Sequence, residues 1–334
     1  MSLLDRERVK LWALQKIIGG ELARFDTVFN ELMTGESPLI ESVCAHVRNG
    51  KSKRFRPTLL LLSAKSEGDV PDEAVVAAVC VEMIHTATLL HDDIIDEAVT
   101  RRGLPSVNQA WDTATALVMG DYLYSKALDV LSRSGLHVAL NLLAGTTLKM
   151  SQAEMIQLQT RHDLGISEET YLDIIYRKTA SLIESACMIG AGFHADHADR
   201  TVVFGEFGRK IGFVFQITDD IFDYLGDERR LGKPTGQDWE EGRITLPLIA
   251  SLRQAPERQS SDLCERIGQL APDQRALLWP DVKAFVLEHG GVDYARDLAR
   301  RLGDEGKEAL APVAAGAQKD LLAVAVEYVL RRLN

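Results

Sequence analysis

Apolar positions recur at helical spacing along the whole chain, and almost no stretch shows the alternation that is typical of a strand. Residues 4–33 carry apolar side chains on one face and charges on the other, which predicts an amphipathic helix. Ser37 followed by Pro38 predicts an N-cap and a proline in the first helical turn. No linker composition interrupts the pattern, so we predict one all-α domain over residues 1–334, with about a dozen helices.

The segment 73–98 is apolar on nearly every side, which predicts a central buried helix. Residues 168–190 are predicted to form a helix that contains Lys178 and Thr179. Gly120 is predicted to begin another helix, and Gly226 to end a long one.

Two of the apolar helices carry acidic clusters of the same spacing. Positions i, i+1 and i+4 are occupied by Asp92, Asp93 and Asp96 in one helix and by Asp219, Asp220 and Asp223 in the other. Residues i and i+4 share a helix face, and unpaired carboxylates in apolar surroundings are costly unless a cation offsets that cost. Carboxylates that supply part of a coordination shell suit Mg²⁺, which takes its other ligands from water and phosphate. We therefore predict a cavity with a carboxylate wall on each side, in which Mg²⁺ binds a polyanion, most simply a diphosphate.

Basic side chains are available to bind such an anion: Lys53, Arg56, Arg101, Arg102, Lys178 and Lys233. Arginine forks match phosphate geometry, and no nucleotide-binding loop is present. His85 lies two helical turns before Asp92 on the same face, so it is either a ligand contact or a satisfied core histidine. Glu154 and Gln157 either bond to the site or face solvent.

The formal net charge of −11 argues against nucleic-acid binding and against attraction to an anionic membrane. The four cysteines are far apart, without a CxxC pair, which favours a reducing compartment. The start of the chain lacks the order of a signal peptide, and no uncharged apolar run reaches transmembrane length. We therefore predict a cytoplasmic protein. His194 and His197 have a metal-like spacing but no cysteine or third histidine close in sequence, so no zinc site is expected.

Taken in order, these motifs resemble the trans-isoprenyl diphosphate synthases of the polyprenyl synthetase family. The similar segments are Lys53-Arg54-Phe55-Arg56-Pro57, His85, Asp92 to Asp96 with Arg101-Arg102-Gly103, Lys178-Thr179, Phe215-Gln216, Asp219 to Asp223, and Lys233. The chain departs from the family pattern at Lys51-Ser52, where a glycine pair is usual, at Ala153, where glycine is usual, and at Arg243, where lysine is usual.

The resemblance implies the isoprenoid synthase fold, an antiparallel helix bundle around a deep central cavity, and a homodimer. It implies Mg²⁺ as cofactor, with about three ions in each active site. The leading metal ligands would be Asp92, Asp96 and Asp219, supported by Asp93, Asp220 and Asp223. An allylic diphosphate would be held by Arg101, Lys178 and Lys233, and isopentenyl diphosphate by Lys53, Arg56, His85 and Arg102. Thr179 and Gln216 would stabilise a carbocation by their dipoles.

The resemblance also assigns product length to Ala87, five residues before Asp92, whereas a helical wheel alone points to Thr88. Both side chains are small, which predicts an open passage whose floor lies deeper. Candidate floor residues are Ile84, Leu128, Leu131 and Leu143. The expected product is all-trans with about eight isoprene units, in a range of about six to ten, as in octaprenyl-type synthases.

Three alternatives are weighed against this interpretation. A geranylgeranyl or farnesyl diphosphate synthase would share every motif but make a shorter product. A terpene cyclase would share the fold and the first acidic motif but would need no second-substrate site. A non-catalytic subunit of a heteromeric synthase would keep the fold without needing both acidic clusters.

Overall fold

A computed structural model describes residues 15–194, 198–226, 235–313 and 317–331, which are predominantly helical. The helices of the first half are α1 (Gly19–Leu32), α2 (Pro38–Asn49), α3 (Phe55–Glu67), α4 (Asp72–Ile95), α5 (Val107–Ala110), α6 (Thr113–Arg133) and α7 (His137–Gln159). Those of the second half are α8 (Glu168–Ile175), α9 (Ser181–Ala191), α10 (Ala198–Leu225), α11 (Gln237–Glu240), α12 (Leu246–Gln254), α13 (Glu257–Gly268), α14 (Trp279–Glu288), α15 (Gly291–Ala309) and α16 (Ala317–Leu330). The prediction of an all-α fold is confirmed.

Two strands, a π-helical turn and a 3₁₀ helix accompany these α-helices. Strands β1 (Thr100–Arg101) and β2 (Leu104–Pro105) form a short antiparallel hairpin with Thr100 opposite Pro105. A π-helical turn (Tyr176–Ala180) lies between α8 and α9, and a 3₁₀ helix (Pro272–Leu278) precedes α14.

The chain divides into two compact units, each built from separated segments. Unit 1 comprises Met1–Thr147, Leu182–Gly208 and Leu310–Val324, and unit 2 comprises Leu148–Ser181, Arg209–Ala309 and Ala325–Asn334. Because each unit draws on three stretches of sequence, neither corresponds to an independent length of chain. The single domain over residues 1–334 stays a prediction.

Helix α4 is the central element of unit 1, as the apolar pattern of residues 73–98 predicted. It packs against α1, α3 and most extensively α6. By length and composition α4 also resembles a membrane span, but 72% of its most apolar window is buried inside the protein. That burial is typical of the core helix of a globular unit rather than of a lipid-facing span.

Gly120 does not begin a helix, contrary to the sequence prediction. Helix α6 starts at Thr113 and passes straight through Gly120. A Cβ atom at Gly120 would lie 2.1 Å from Nε2 of His91 on α4. The glycine therefore permits close packing of α6 against α4, and its role is steric rather than a helix boundary.

The segment 168–190 is not one continuous α-helix, because the π-helical turn interrupts it. Against this turn lies Gly212 of α10, where a Cβ atom would come within 2.5 Å of the Cα atom of Ala180. The two backbones are thus in direct contact within unit 2. π-Helical turns are frequent at functional sites, and this one contains Lys178 and Thr179.

Candidate active site

The first acidic cluster forms the last turn of α4 in unit 1. Asp96 is the C-cap of the helix, and its N–H donates to the carbonyl of Asp92 at 2.8 Å. Asp93 is only 1% exposed and accepts a hydrogen bond from Nε of Arg101 at 2.7 Å. Asp92 and Asp96 are partly exposed. The cluster therefore contains one buried acid and two partly exposed ones.

The β1–β2 hairpin presents the arginine pair. Its two turn residues, Arg102 and Gly103, have φ values of 54° and 84°, as a type I′ turn requires. Nε2 of His46 lies 2.8 Å from the Pro105 carbonyl, and Nδ2 of Asn108 donates to the Asp93 carbonyl at 3.2 Å. The first contact holds the hairpin against α2, and the second joins α5, which follows the hairpin, to the end of α4.

A second buried acid, Glu82, holds the other arginine, and the sequence analysis missed it. Its Oε1 lies 3.4 Å from Nη2 of Arg102 and accepts a hydrogen bond from Oγ of Ser52 at 2.7 Å. Ser52 in turn accepts the N–H of Arg54 at 3.1 Å. Glu82 is 3% exposed. An acid inside an otherwise apolar helix was the available signal, since buried carboxylates need partners.

We expect Glu82→Ala to lower the free energy of unfolding by about 2 kcal/mol, because it leaves Arg102 and Ser52 without their shared acceptor. Urea unfolding followed by circular dichroism measures the loss. The control is Asp129→Ala, which removes an exposed ion pair with Arg133 on α6 and should cost well under about 1 kcal/mol. Equal losses in both variants would show that the Glu82 contacts add nothing to stability.

His85 lies beside Arg56 in surroundings that disfavour the protonated imidazole. Burial lowers its pKa well below the ordinary value, and the charges of Arg56, Arg102 and Arg101 lower it further. Nη1 of Arg56 lies 3.0 Å from Nε2 of His85. Because a guanidinium can only donate, Nε2 is the acceptor, and the proton of the neutral ring is on Nδ1. Lys53, whose carbonyl accepts from Nε2 of Gln15 at 3.1 Å, is exposed nearby in sequence.

A pocket within unit 1 adjoins this cationic cluster. Its lining includes Arg101, Arg102, Asp93, Thr86, Leu89, Leu90, Val47, Leu104 and Val107. Guanidinium groups and apolar side chains therefore share one concave surface. Such a surface suits an anion that carries a small apolar group.

The second acidic cluster lies on α10 in unit 2. Asp220 is 3% exposed and accepts two hydrogen bonds, from Oη of Tyr171 at 2.6 Å and from Nε2 of Gln216 at 2.8 Å. Burial, followed by the charge of Asp238, raises the pKa of Asp220 well above its ordinary value, whereas the hydrogen bonds from Tyr171 and Gln216 lower it. Asp219 is partly exposed.

Asp223 has a different environment from its two neighbours in the cluster. Its carboxylate accepts the backbone N–H groups of Gly236, Gln237 and Asp238 at 3.0 to 3.1 Å. Burial raises the pKa of Asp223 to about 6. This acid therefore holds the start of α11 in place.

The π-helical turn supplies the remaining polar groups of unit 2. Oγ1 of Thr179 donates to Oε1 of Gln216 at 2.7 Å. Nζ of Lys178 donates to Glu154 at 2.7 Å and to Gln157 at 3.3 Å. The sequence left open whether Glu154 and Gln157 bond to the site or face solvent, and both of them bind Lys178.

The two clusters share one division of roles. In each, the middle acid is buried and bonded to protein groups, and the first acid is partly exposed. Among the residues that the structure describes, no three His, Cys, Asp or Glu side chains gather to hold a metal ion by themselves. Asp92 and Asp96 lie one helical turn apart in unit 1, and carboxylates so spaced are of the type that Mg²⁺ takes when phosphate and water supply its other ligands.

The product-length candidates differ in accessibility. Ile84, Ala87, Leu131 and Leu143 are fully buried. Thr88 is partly exposed, on the face that carries His85 and Asp92, and its Oγ1 donates to the His85 carbonyl at 2.7 Å. The assignment of product length to any of these residues stays a prediction.

The remaining candidates are placed as follows. Nε2 of His194 lies 3.1 Å from the carbonyl of Ala64. Arg243 donates to Asp238 at 2.9 Å. Lys233 and His197 lie outside the described residues.

Comparisons with known proteins address the family directly. The polyprenyl synthetase family model matches residues 37–278. The chain is 33% identical over 291 residues to a short chain isoprenyl diphosphate synthase of Methanothermobacter thermautotrophicus, covering 86% of this chain and 88% of that protein. It is 35% identical over 294 residues to an all-trans-nonaprenyl-diphosphate synthase (geranyl-diphosphate specific) of Rhodobacter capsulatus, covering 88% and 89%.

A solved structure shows the same fold. The polyprenyl synthase of Caulobacter crescentus, complexed with calcium and isoprenyl diphosphate, matches with a TM-score of 0.89 at 29% identity, covering 96% of this chain and 97% of that one. The relatives range from short-chain to nonaprenyl synthases, so membership of the family is compatible with products of very different length. The chain belongs to the polyprenyl synthetase family and is a prenyltransferase.

Proposed function

We propose that this protein condenses isopentenyl diphosphate with an allylic diphosphate to make a long-chain all-trans polyprenyl diphosphate of about eight isoprene units. The observation that carries the proposal is the cationic cluster of Arg56, Arg101 and Arg102 around neutral His85. It is additional to the two acidic clusters, and a second diphosphate substrate requires such a site. A terpene cyclase, with one substrate, does not.

Mg²⁺ is the cofactor in this proposal, and bound Mg²⁺ would neutralise charge on the departing diphosphate. Asp92, Asp96 and Asp219 would hold it through their accessible carboxylates. Asp93 has a separate role, since its bond to Arg101 orients a guanidinium for the allylic diphosphate. Lys178 and Lys233 would bind the same diphosphate.

Isopentenyl diphosphate would be bound by Lys53, Arg56, His85 and Arg102. The pocket beside the hairpin supports this assignment, because its apolar side chains suit the five-carbon tail. Neutral His85 contributes the N–H donor on Nδ1 without adding charge. The buried partner Glu82 keeps Arg102 in place before the substrate arrives.

The reaction then needs no protein nucleophile. The allylic carbon–oxygen bond breaks, and the isopentenyl double bond attacks the resulting allylic cation. A proton is lost from the new chain, and the departing diphosphate accepts it. The oxygen atoms of Thr179 and Gln216, linked at 2.7 Å, would stabilise the cation through their dipoles.

The direct test incubates the purified protein alone with isopentenyl diphosphate, an allylic diphosphate and Mg²⁺. Chain extension, followed by chromatography of the dephosphorylated products, is the expected result. A cyclic hydrocarbon without extension would identify a cyclase. No product from the protein alone would favour a non-catalytic subunit and refute the proposal.

We expect Arg56→Ala to raise the KM for isopentenyl diphosphate by about 10-fold or more, with little change in the KM for the allylic substrate. A charged contact that forms alike in the ground state and the transition state affects binding first. Steady-state kinetics with each substrate varied in turn measures both constants. The control is Arg133→Ala, whose side chain is 80% exposed on α6. Equal increases in the two KM values would contradict the assignment.

The homodimer and the cytoplasmic location also belong to the proposal. Exposed apolar side chains on α6 and α7 support self-association: Leu117, Val118, Val138, Leu148 and Met155. All four cysteines are free thiols, as a reducing compartment favours. Light scattering should give twice the mass of the chain.

A further inference from the structure

Tyr171 is a buried tyrosine to which neither the sequence motifs nor the proposed reaction gives a role. It lies on α8, is 3% exposed, and has one polar side-chain atom. That hydroxyl donates to Oδ2 of Asp220 at 2.6 Å. A buried tyrosine needs a hydrogen-bond partner, but this partner is the middle acid of a functional cluster.

The hydrogen bond of Tyr171 is the first of three linked hydrogen bonds, each with a defined donor and acceptor. The other carboxylate oxygen of Asp220, Oδ1, accepts from Nε2 of Gln216 at 2.8 Å. The amide nitrogen of Gln216 therefore faces Asp220, and its Oε1 accepts from the Thr179 hydroxyl at 2.7 Å. Since the hydroxyl proton of Thr179 is used in that bond, its oxygen keeps lone pairs for another contact.

Local backbone structure brings the residues of this hydrogen-bond series close together. The π-helical turn places Thr179 against α10, and Gly212 lets the two backbones touch one turn before Gln216. Tyr171 reaches Asp220 from α8, immediately before the same turn. All four residues lie in unit 2, so the geometry is that of one compact unit.

We propose that Tyr171 is a positioning residue that sets the orientation of Gln216 and Thr179 through Asp220, an inference that rests on the proposed function. A glutamine amide is nearly symmetric in shape, so only its partners decide which end faces Thr179. With Asp220 held by Tyr171, the amide oxygen and the threonine oxygen both present negative dipoles to a carbocation. Without the tyrosine hydroxyl, the carboxylate can rotate and the amide can reverse.

The test compares Tyr171→Phe with a control variant that removes a different tyrosine hydroxyl, one that contacts α8. Tyr171→Phe should lower kcat by about 10-fold while both KM values change by less than about 2-fold, because the orientation matters only when the cation forms. The control is Tyr294→Phe, which removes a hydroxyl that donates to both oxygens of Glu168 on α8 at 2.9 Å. It should lower the melting temperature of the protein without changing kcat.

A double-mutant cycle with Asp220→Asn shows whether Tyr171 acts through Asp220. Asp220→Asn alone should also lower kcat, and adding Tyr171→Phe to it should cost less than about 2-fold more. Calorimetric titration of an unreactive thio analogue of the allylic diphosphate with Mg²⁺ should give the same Kd for Tyr171→Phe and the unmodified protein. This readout separates positioning for the reaction from loss of binding.

The possible outcomes are distinct. A fully additive cycle, a weaker Kd in Tyr171→Phe, or an equal kcat loss in Tyr294→Phe would overturn the positioning role. So would an unchanged kcat in Tyr171→Phe. If the unmodified protein extends chains, each of these results refutes the positioning role of Tyr171 but not the proposed function. If the unmodified protein extends no chains, the proposed function fails as well. Should Tyr171→Phe not fold, Asp220→Asn must still lower kcat at unchanged Kd, or the inference is wrong.

Discussion

Asp92→Ala and Asp219→Ala should each lower turnover by about 10³-fold with the helical content intact. Each change removes an accessible carboxylate from a cluster whose middle acid is already bonded to protein. Less charge would then be neutralised on the leaving diphosphate, which affects the transition state more than the bound substrate. A loss of this size corresponds to about 4 kcal/mol of transition-state stabilisation.

Two exposed acids outside the clusters provide controls for this experiment. Glu97 follows the first cluster directly, and Asp199 lies in the first turn of α10, and both are exposed. Replacing either with alanine should leave turnover within about 2-fold of the unmodified enzyme. Near-normal turnover in Asp92→Ala and Asp219→Ala would mean that these acids do not hold the metal. Without metal, the two Asp variants should melt at a higher temperature than the unmodified protein, because like charges in a cluster repel one another.

Each of the two clusters has a middle aspartate that is buried and bonded to protein groups. Asp93 bonds to Arg101, and Asp220 bonds to Tyr171 and Gln216. Each middle acid is thereby bonded to a group, Arg101 or Gln216, that would contact substrate in the proposed function. We infer that the first aspartate of each cluster serves metal binding and that the middle aspartate positions these groups.

Helical periodicity was sufficient to predict the class of fold and the two acidic clusters, because both depend on residues close in sequence. The buried character of α4 and the N-cap at Ser37, whose Oγ accepts the N–H of Ile40, were also local features. The predicted helix end at Gly226 agrees with α10, which stops at Leu225. These features need no knowledge of which helices pack together.

The features that were missed depend on partners distant in sequence. The role of Glu82 depends on its contacts with Ser52 and Arg102, which lie 30 and 20 residues away in sequence. The role of Tyr171 depends on its hydrogen bond to Asp220, which lies 49 residues away in sequence. A pattern along one helix cannot distinguish a buried polar residue that holds a functional group from one that is merely satisfied.

The error at Gly120 and the unpredicted π-helical turn have related causes. Glycine is a common helix boundary, but here its missing side chain accommodates the ring of His91. The apolar spacing along α8 and α9 gives no sign of the extra residue in the π-helical turn between them. One such turn changes the helical period of 3.6 residues only slightly. Close backbone contacts between elements therefore limit what a helical pattern can reveal.

Product length is the second property for which a single substitution should have a large effect. Under the proposed function, the unmodified enzyme should make a product of about eight isoprene units, because the small side chains of Ala87 and Thr88 would leave room for the growing chain beside α4. Ala87→Phe should shorten the product to about fifteen or twenty carbons, since an aromatic ring fills space that the growing chain needs. Chromatography of the dephosphorylated products distinguishes these lengths.

The two neighbouring positions make the experiment more specific. Ala87 is fully buried, whereas Thr88 is partly exposed on the face of His85 and Asp92. Family resemblance favours Ala87 as the position that controls product length, whereas the partial exposure of Thr88 favours Thr88. Thr88→Phe should therefore be made in parallel, and the variant with the shorter product identifies the side chain that meets the growing chain. Ala87→Ser keeps the position small, so its product should not change. If the unmodified enzyme itself stops at fifteen carbons, the passage is closed by another side chain, and neither small residue controls length.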